Sequence, residues 1–260
     1  MKEHLIVCGC SFTEGHFLKS KGSWATYFGE MHDLNVINLA SGGAGNEFIT
    51  SAPIHYSLAN PDIAKNSLYI IQLSELTRIF MMWENIANMF IGTHIATSNI
   101  LNPPSWPTTD PRQIAFNSWL KEHGEGIFPI YNNMTHLVWK TCMGMLNFIN
   151  FCESNKYPYR IFDGLASCLP IESHRQVWNL RYPNTDTIDV REDYPGHNKL
   201  YWMFVTRSLI LHLKNNPYYY QEKTFMEFIS EDEARQIEND GHPNELGANL
   251  WAEHLTKKLF

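Results

Sequence analysis

Short apolar runs alternate with longer amphipathic stretches through the first half of the chain. His4–Cys8 (HLIVC), Asn35–Leu39 (NVINL) and Leu68–Leu73 (LYIIQL) read as buried strands. Between them, Gly22–His32 carries Trp24, Tyr27 and Phe28 on one side at helical spacing, and Asn46–Ala59 is also predicted as a helix. Glu75–Ile91 is predicted as a long helix. Leu101–Tyr131 interrupts the pattern with Pro103, Pro104, Pro107, Pro111 and Pro129, and reads as an irregular insertion, around 100–131, over a sheet edge. Beyond it, Met134–Asn155 repeats apolar residues at Leu137, Val138, Cys142, Met145 and Ile149, as a helix requires. Tyr159–Phe162 is a fourth strand closed by Asp163-Gly164, and Leu200–Leu213 is predicted helical. Leu246, Leu250, Trp251, Leu255 and Leu259 give the closing stretch, Leu246–Leu259, one apolar face. Strands that alternate with helices imply βαβ units, a mainly parallel sheet and the α/β class.

Composition narrows the picture. The 260 residues suit a single domain, 1–260, and 44 % hydrophobic against 18 % charged residues allows a large buried core. A formal charge of −7 with no basic run argues against phosphate-backbone binding, so no nucleic-acid partner is expected. Cys8, Cys10, Cys142, Cys152 and Cys168 are odd in number and irregular in spacing, which reads as free thiols and not as a disulfide framework. Cys8-x-Cys10 with nearby His4 lacks a further ligand, so no metal site is expected. No run of about 18 apolar residues occurs, and the N-terminal apolar run is too short for a signal peptide. The expectation is a cytoplasmic protein with no membrane partner.

Four polar, glycine-rich segments carry the candidate chemistry. The first strand runs into Gly9-Cys10-Ser11-Phe12-Thr13-Glu14-Gly15, which puts a serine at the carboxyl end of a strand, where open α/β sheets place their sites. A helix-capping role for Ser11 or Thr13 is the plainer alternative. The second strand runs into Asn38-Leu39-Ala40-Ser41-Gly42-Gly43-Ala44-Gly45-Asn46, whose glycines leave backbone N–H groups open to an oxyanion, or simply make a tight turn. The third ends in Gln72-Leu73-Ser74-Glu75, where Ser74 is a natural helix cap. The fourth segment, Asn239-Asp240-Gly241-His242-Pro243-Asn244-Glu245-Leu246-Gly247, holds a carboxylate two residues before a histidine. A histidine base needs a group on its other nitrogen to fix its tautomer; a surface turn is the alternative.

In order and content these four segments resemble the sequence blocks of the SGNH (GDSL-like) hydrolase superfamily, in a divergent version of the kind found in phage and environmental genomes. The resemblance covers residues 1–80 and 236–260. It implies a flavodoxin-like three-layer α/β/α sandwich with Ser11 as nucleophile and His242 as base. It further implies that Gly43 (or Gly42) supplies an oxyanion donor, with Ser74 and Asn46 as further oxyanion or substrate-binding groups. Three departures stand out. Cys10 replaces the family's aspartate before the nucleophile, Ser74 stands where an asparagine is usual, and Asn239, not Asp240, occupies the strict acid position. The expected function is an esterase or deacylase acting on a small-molecule or glycan acyl ester through a Ser11–His242–Asp240 triad and an acyl-enzyme, without a cofactor. An acyltransferase on the same scaffold, or a non-catalytic binding module such as a virion component, are the alternatives; a phage-encoded protein would work in the host cytoplasm or the virion.

Overall fold

The computed structural model describes residues 2–15, 18, 22–76, 78–84, 90–96, 111–131, 134–165, 168–169, 208–232, 235–237 and 241–259. The chain opens with β1 (His4–Cys8), a single turn of helix α1 (Ser11–Glu14), α2 (Trp24–His32) and β2 (Asn35–Asn38). Then come α3 (Asn46–Ala59), the short α4 (Pro61–Lys65) and β3 (Ser67–Leu73). A hairpin follows, β4 (Arg78–Glu84) and β5 (Phe90–Ala96), and after it two helices, α5 (Pro111–Tyr131) and α6 (Met134–Asn155). The chain closes with β6 (Tyr159–Asp163), β7 (Tyr219–Tyr220), α7 (Phe225–Ser230) and α8 (Glu245–Leu259).

Five strands form one sheet in the order β2-β1-β3-β6-β7, and every neighbouring pair is parallel. Alternation along each strand sends successive side chains to opposite faces. Leu5, Val7, Leu68, Ile70 and Phe162 face one layer, against Trp24 and Phe28 of α2, Phe225 of α7 and Trp251 and Leu255 of α8. Ile6, Cys8, Tyr69, Ile71 and Ile161 face the other, against Ile49 of α3 and Cys142, Met145 and Phe148 of α6. Helices therefore cover both faces, which is why β3 is buried along its whole length and carries apolar residues on both of its sides, with Ser67 and Gln72 as its buried polar positions. Each fully buried aliphatic or aromatic side chain contributes about 1.5–3 kcal/mol relative to exposure. The α/β class and the three-layer arrangement are as expected, and the leading strand order is the flavodoxin-like 2-1-3.

Two expected elements differ. The long helix expected over Glu75–Ile91 is absent; Arg78–Glu84 pairs antiparallel with Phe90–Ala96 in a separate two-stranded sheet, from Arg78 opposite Ala96 to Glu84 opposite Phe90. The run has no decisive period, and its Ile79, Phe80, Trp83, Ile91, Thr93 and Ile95 favour a pleated surface once a pairing partner is in reach. The proline-marked stretch is not irregular throughout, since α5 occupies 111–131. Pro111 stands at its first position, where a missing N–H costs nothing. Gly124 and Gly126 weaken the helical signal that follows. Of the helix expected at Leu200–Leu213, residues 208–214 are described and helical; 200–207 lie outside the described residues.

Candidate active site

Ser11 owes its position to how β1 ends. The strand stops at Cys8, Gly9 leads out, and the extended Cys10 caps α1. The Cys10 carbonyl accepts from Thr13 N at 3.0 Å and Glu14 N at 2.9 Å, and Gly15, at φ 82°, ends the turn in the left-handed region. Ser11 is thus the first helical residue beyond the carboxyl end of the sheet, 8 % exposed. From β1 the chain passes to β2 on one side and then crosses to β3 on the other. The crevice at such a crossover is where doubly wound sheets hold ligands.

His242 arrives from the other end of the chain. Residues 235–237 run antiparallel to 242–244: Ile237 N donates to His242 O at 2.8 Å and Asn244 N to Arg235 O at 3.0 Å. Gly241 has φ 79°, a left-handed turn that strains any other residue except asparagine or aspartate. Asn244 then caps α8, its Oδ1 accepting from Gly247 N at 2.9 Å and its Nδ2 donating to Gln236 O at 3.0 Å. A Cβ on Gly247 would run into the Arg235 carbonyl, so the glycine lets helix and strand segment touch. The imidazole leans edge-on against Phe12, with 4.9 Å between centroids; Phe12 meets Phe225, which stacks on Trp251. The outcome is a hydrogen bond of 2.9 Å between Ser11 Oγ and His242 Nε2, across 231 residues of sequence. This is the separation at which an imidazole can take a hydroxyl proton.

The remaining expected residues divide. Gly43 lies in the turn after β2, at φ 74°, and Ala44 N closes that turn on Ser41 O at 3.0 Å. Ser41 N donates to Gly9 O at 3.2 Å, which ties this turn to the loop carrying Ser11. Asn46, at the start of α3, is buried and its carboxamide faces Ser74: Oδ1 accepts from Ser74 N at 2.7 Å, and Nδ2 donates to Ser74 O at 3.2 Å and Thr141 Oγ1 at 3.3 Å. Ser74 is fully buried, and its Oγ has no hydrogen-bond partner among the described residues. It caps no helix, because Glu75 leads through a turn into β4. Asp240 and Asn239 lie outside the described residues.

Several polar groups that organise this edge carried no distinct sequence signal. Asn38, at the end of β2, donates from Nδ2 to Thr13 O at 2.7 Å and accepts from Ala40 N at 3.0 Å, bracing α1 against the second loop. Asp163, at the end of β6, is buried and accepts from Tyr219 Oη at 2.7 Å and Cys168 N at 3.3 Å. Burial, reinforced by Asp163, pushes the Cys168 thiol and the Tyr219 phenol well up from their ordinary values. Both are held neutral, and the Cys168 thiol donates to Ser74 O at 2.6 Å. Neither residue type stands out in sequence, because only the third dimension brings β6 and β7 to the same edge.

A parallel α/β sheet with a hydrogen-bonded serine–histidine pair at its carboxyl edge is the class of molecule these features define. No protein-family model matches the chain, and no curated protein matches it. Solved structures do. The lipase Lip_vut3 from a goat rumen metagenome is 14 % identical, with a TM-score of 0.47 over 99 % of this chain and 97 % of that one. The psychrotrophic esterase EstA from Pseudoalteromonas sp. is 10 % identical, with a TM-score of 0.49 over 99 % and 96 %. A member of the lipolytic G-D-S-L family from Veillonella parvula is 13 % identical, with a TM-score of 0.44 over 98 % and 97 %.

Proposed function

We propose that the protein is a serine hydrolase of carboxylic esters. The observation that carries this reading is the 2.9 Å hydrogen bond between Ser11 and His242 at the carboxyl edge of the parallel sheet, beside the β1/β3 crossover. As His242 Nε2 takes its proton, Ser11 Oγ attacks the ester carbonyl carbon and the carbonyl π pair moves onto oxygen. Backbone N–H groups of Ser11 and Gly43 hold that oxyanion. The tetrahedral adduct collapses, the C–O bond to the alcohol breaks, and His242 returns the proton to the leaving alcohol. Water then repeats the sequence on the acyl-serine, releasing the acid and restoring the Ser11 hydroxyl. Asp240, two residues before His242, supplies the charge that orients the imidazole and stabilises its cation.

Asn46 and Ser74 take a different part from direct contact with the oxyanion. The Asn46 carboxamide is committed to the Ser74 backbone, so the two hold the loop after β3. The substrate class is a small-molecule or glycan acyl ester. The test is hydrolysis of p-nitrophenyl acetate and butyrate together with labelling by a fluorophosphonate, the adduct located by mass spectrometry. Labelling of Ser11 in the native protein and its loss in Ser11→Ala is the expected result. An unlabelled folded protein, or an adduct that survives Ser11→Ala, refutes the reading.

A further inference from the structure

We propose that Gln72 is a positioning residue that fixes the loop carrying Ser11 from both sides, a role that rests on the serine-hydrolase reading above. Ser11 is flanked in sequence by Cys10 on one side and by Phe12 and Thr13 on the other. One carboxamide reaches across both flanks. Gln72 Nε2 donates to Cys10 Sγ at 3.3 Å, and Gln72 Oε1 accepts from the Thr13 hydroxyl. The Thr13 hydroxyl is in turn oriented by Trp24, whose Nε1 donates to it at 3.1 Å. Cys10, Thr13, Trp24 and Gln72 are all fully buried, so each link is made away from competing water.

The backbone makes room for this arrangement. A Cβ on Gly164 would overlap the Gln72 carboxamide, and one on Gly9 would overlap the Thr13 side chain. Two glycines, one at the end of β6 and one at the end of β1, therefore open the slot that the amide and hydroxyl fill. Gln72 belongs to β3, next to β1 in the sheet, so it transmits the position of the central strand to the nucleophile loop. Cys10 acquires a purpose here. Its sulfur is large enough to reach the amide, whereas a carboxylate at that depth needs a full set of donors.

The experiment compares Thr13→Val, Gln72→Met and the double variant with wild type and with the rescue variant Thr13→Ser. Three quantities are read: fluorophosphonate labelling rate, kcat against KM, and the 15N shift of His242 Nε2 with Ser11→Ala as reference. Thr13→Val and Gln72→Met each lower the labelling rate and kcat about 10- to 100-fold with KM little changed, the cost of a nucleophile displaced by about 1 Å. Thr13→Ser restores both, and the double variant is no worse than the poorer single, because one linkage is broken either way. In both single variants the His242 Nε2 shift moves toward the Ser11→Ala value. Folded variants with wild-type labelling rate and an unmoved Nε2 shift overturn the proposal. So does a uniform loss of melting temperature without any change in the Nε2 shift. If a core variant fails to fold, Cys10→Ala, which removes only the sulfur acceptor, is held to the same two readouts. A wild type that hydrolyses no ester and takes up no probe refutes the hydrolase reading instead, and the His242 shift still decides whether Gln72 positions Ser11.

Discussion

Replacing Asn46 by leucine keeps the size of the side chain and deletes its polar end. The Ser74 carbonyl keeps a donor, the Cys168 thiol at 2.6 Å, but the Ser74 N–H loses its partner at full burial. An orphaned buried N–H costs about 1–3 kcal/mol, and the lost bonds to Ser74 O and Thr141 add about 0.5–1.5 kcal/mol each. Better packing of the leucine offsets part of this, which leaves a net loss of about 2–4 kcal/mol. For a chain of this length that corresponds to a fall in Tm of roughly 5–15 °C. Guanidinium unfolding with the m-value monitored separates the native-state cost from any change in the unfolded chain. Asn46→Asp restores the acceptor for Ser74 N while setting a second oxygen against the Ser74 carbonyl, so it falls between wild type and Asn46→Leu. A loss under about 1 kcal/mol for the leucine variant, or an aspartate variant no better than the leucine one, refutes the assignment of Asn46 as the clamp on Ser74.

Ser74→Ala removes a hydroxyl that is buried and lacks a partner among the described residues, so Tm stays level or rises by a few degrees; a clear drop on a melting curve counts against this account. Asp240→Asn lowers kcat on the order of 100-fold or more with little change in melting, while Asn239→Ala is mild; the reverse pattern in steady-state kinetics transfers the orienting role to Asn239. Burial pushes the Cys142 thiol up to about 12, so the folded state gains from its protonated form fully below the ordinary thiol value and loses that gain as pH climbs from there toward the raised one. Cys142→Ala should therefore lose less Tm than wild type between about pH 9 and about pH 11, and parallel curves would exclude the effect.

What was legible in the sequence followed the local rules. β1 and β3 are short apolar runs that end at polar or glycine breaks, and α6 and α8 carry apolar residues at helical spacing, so each was legible locally; in the fold Leu5 and Val7 part from Ile6 and Cys8 to opposite faces. The placing of Ser11 just after a strand and of His242 just before a helix was legible, because each follows a recognisable break, a strand end with glycines and a turn before a helix cap. The hairpin of β4 and β5 was not, since an apolar run such as Ile79–Trp83 commits to a pleat only when its partner strand arrives. The parts played by Gln72, Asn38 and Asp163 were equally hidden. Each is an ordinary polar residue at a strand end, and what distinguishes it is a partner on another strand or loop: Thr13 for Gln72 and Asn38, Tyr219 for Asp163. Asn46 was expected to face a ligand, whereas its amide matches one N–H and one C=O of Ser74, a pairing no spacing rule encodes.

The span of 231 residues between Ser11 and His242 has a consequence for how the protein responds to whatever it holds. Closing a loop of that size costs entropy whose logarithmic part alone is about 5 kcal/mol, met by packing α8 against the sheet while residues 235–237 pair with 242–244 beside it in sequence. A molecule gripped at once by the serine and the imidazole bridges the two extremities of the chain and works as a removable cross-link. It slows the departure of α8 and raises the resistance of the whole molecule to proteases and heat, in proportion to how tightly it is bound. Conversely, a transient lifting of α8 would part Ser11 from His242 before β1 and β3 come apart.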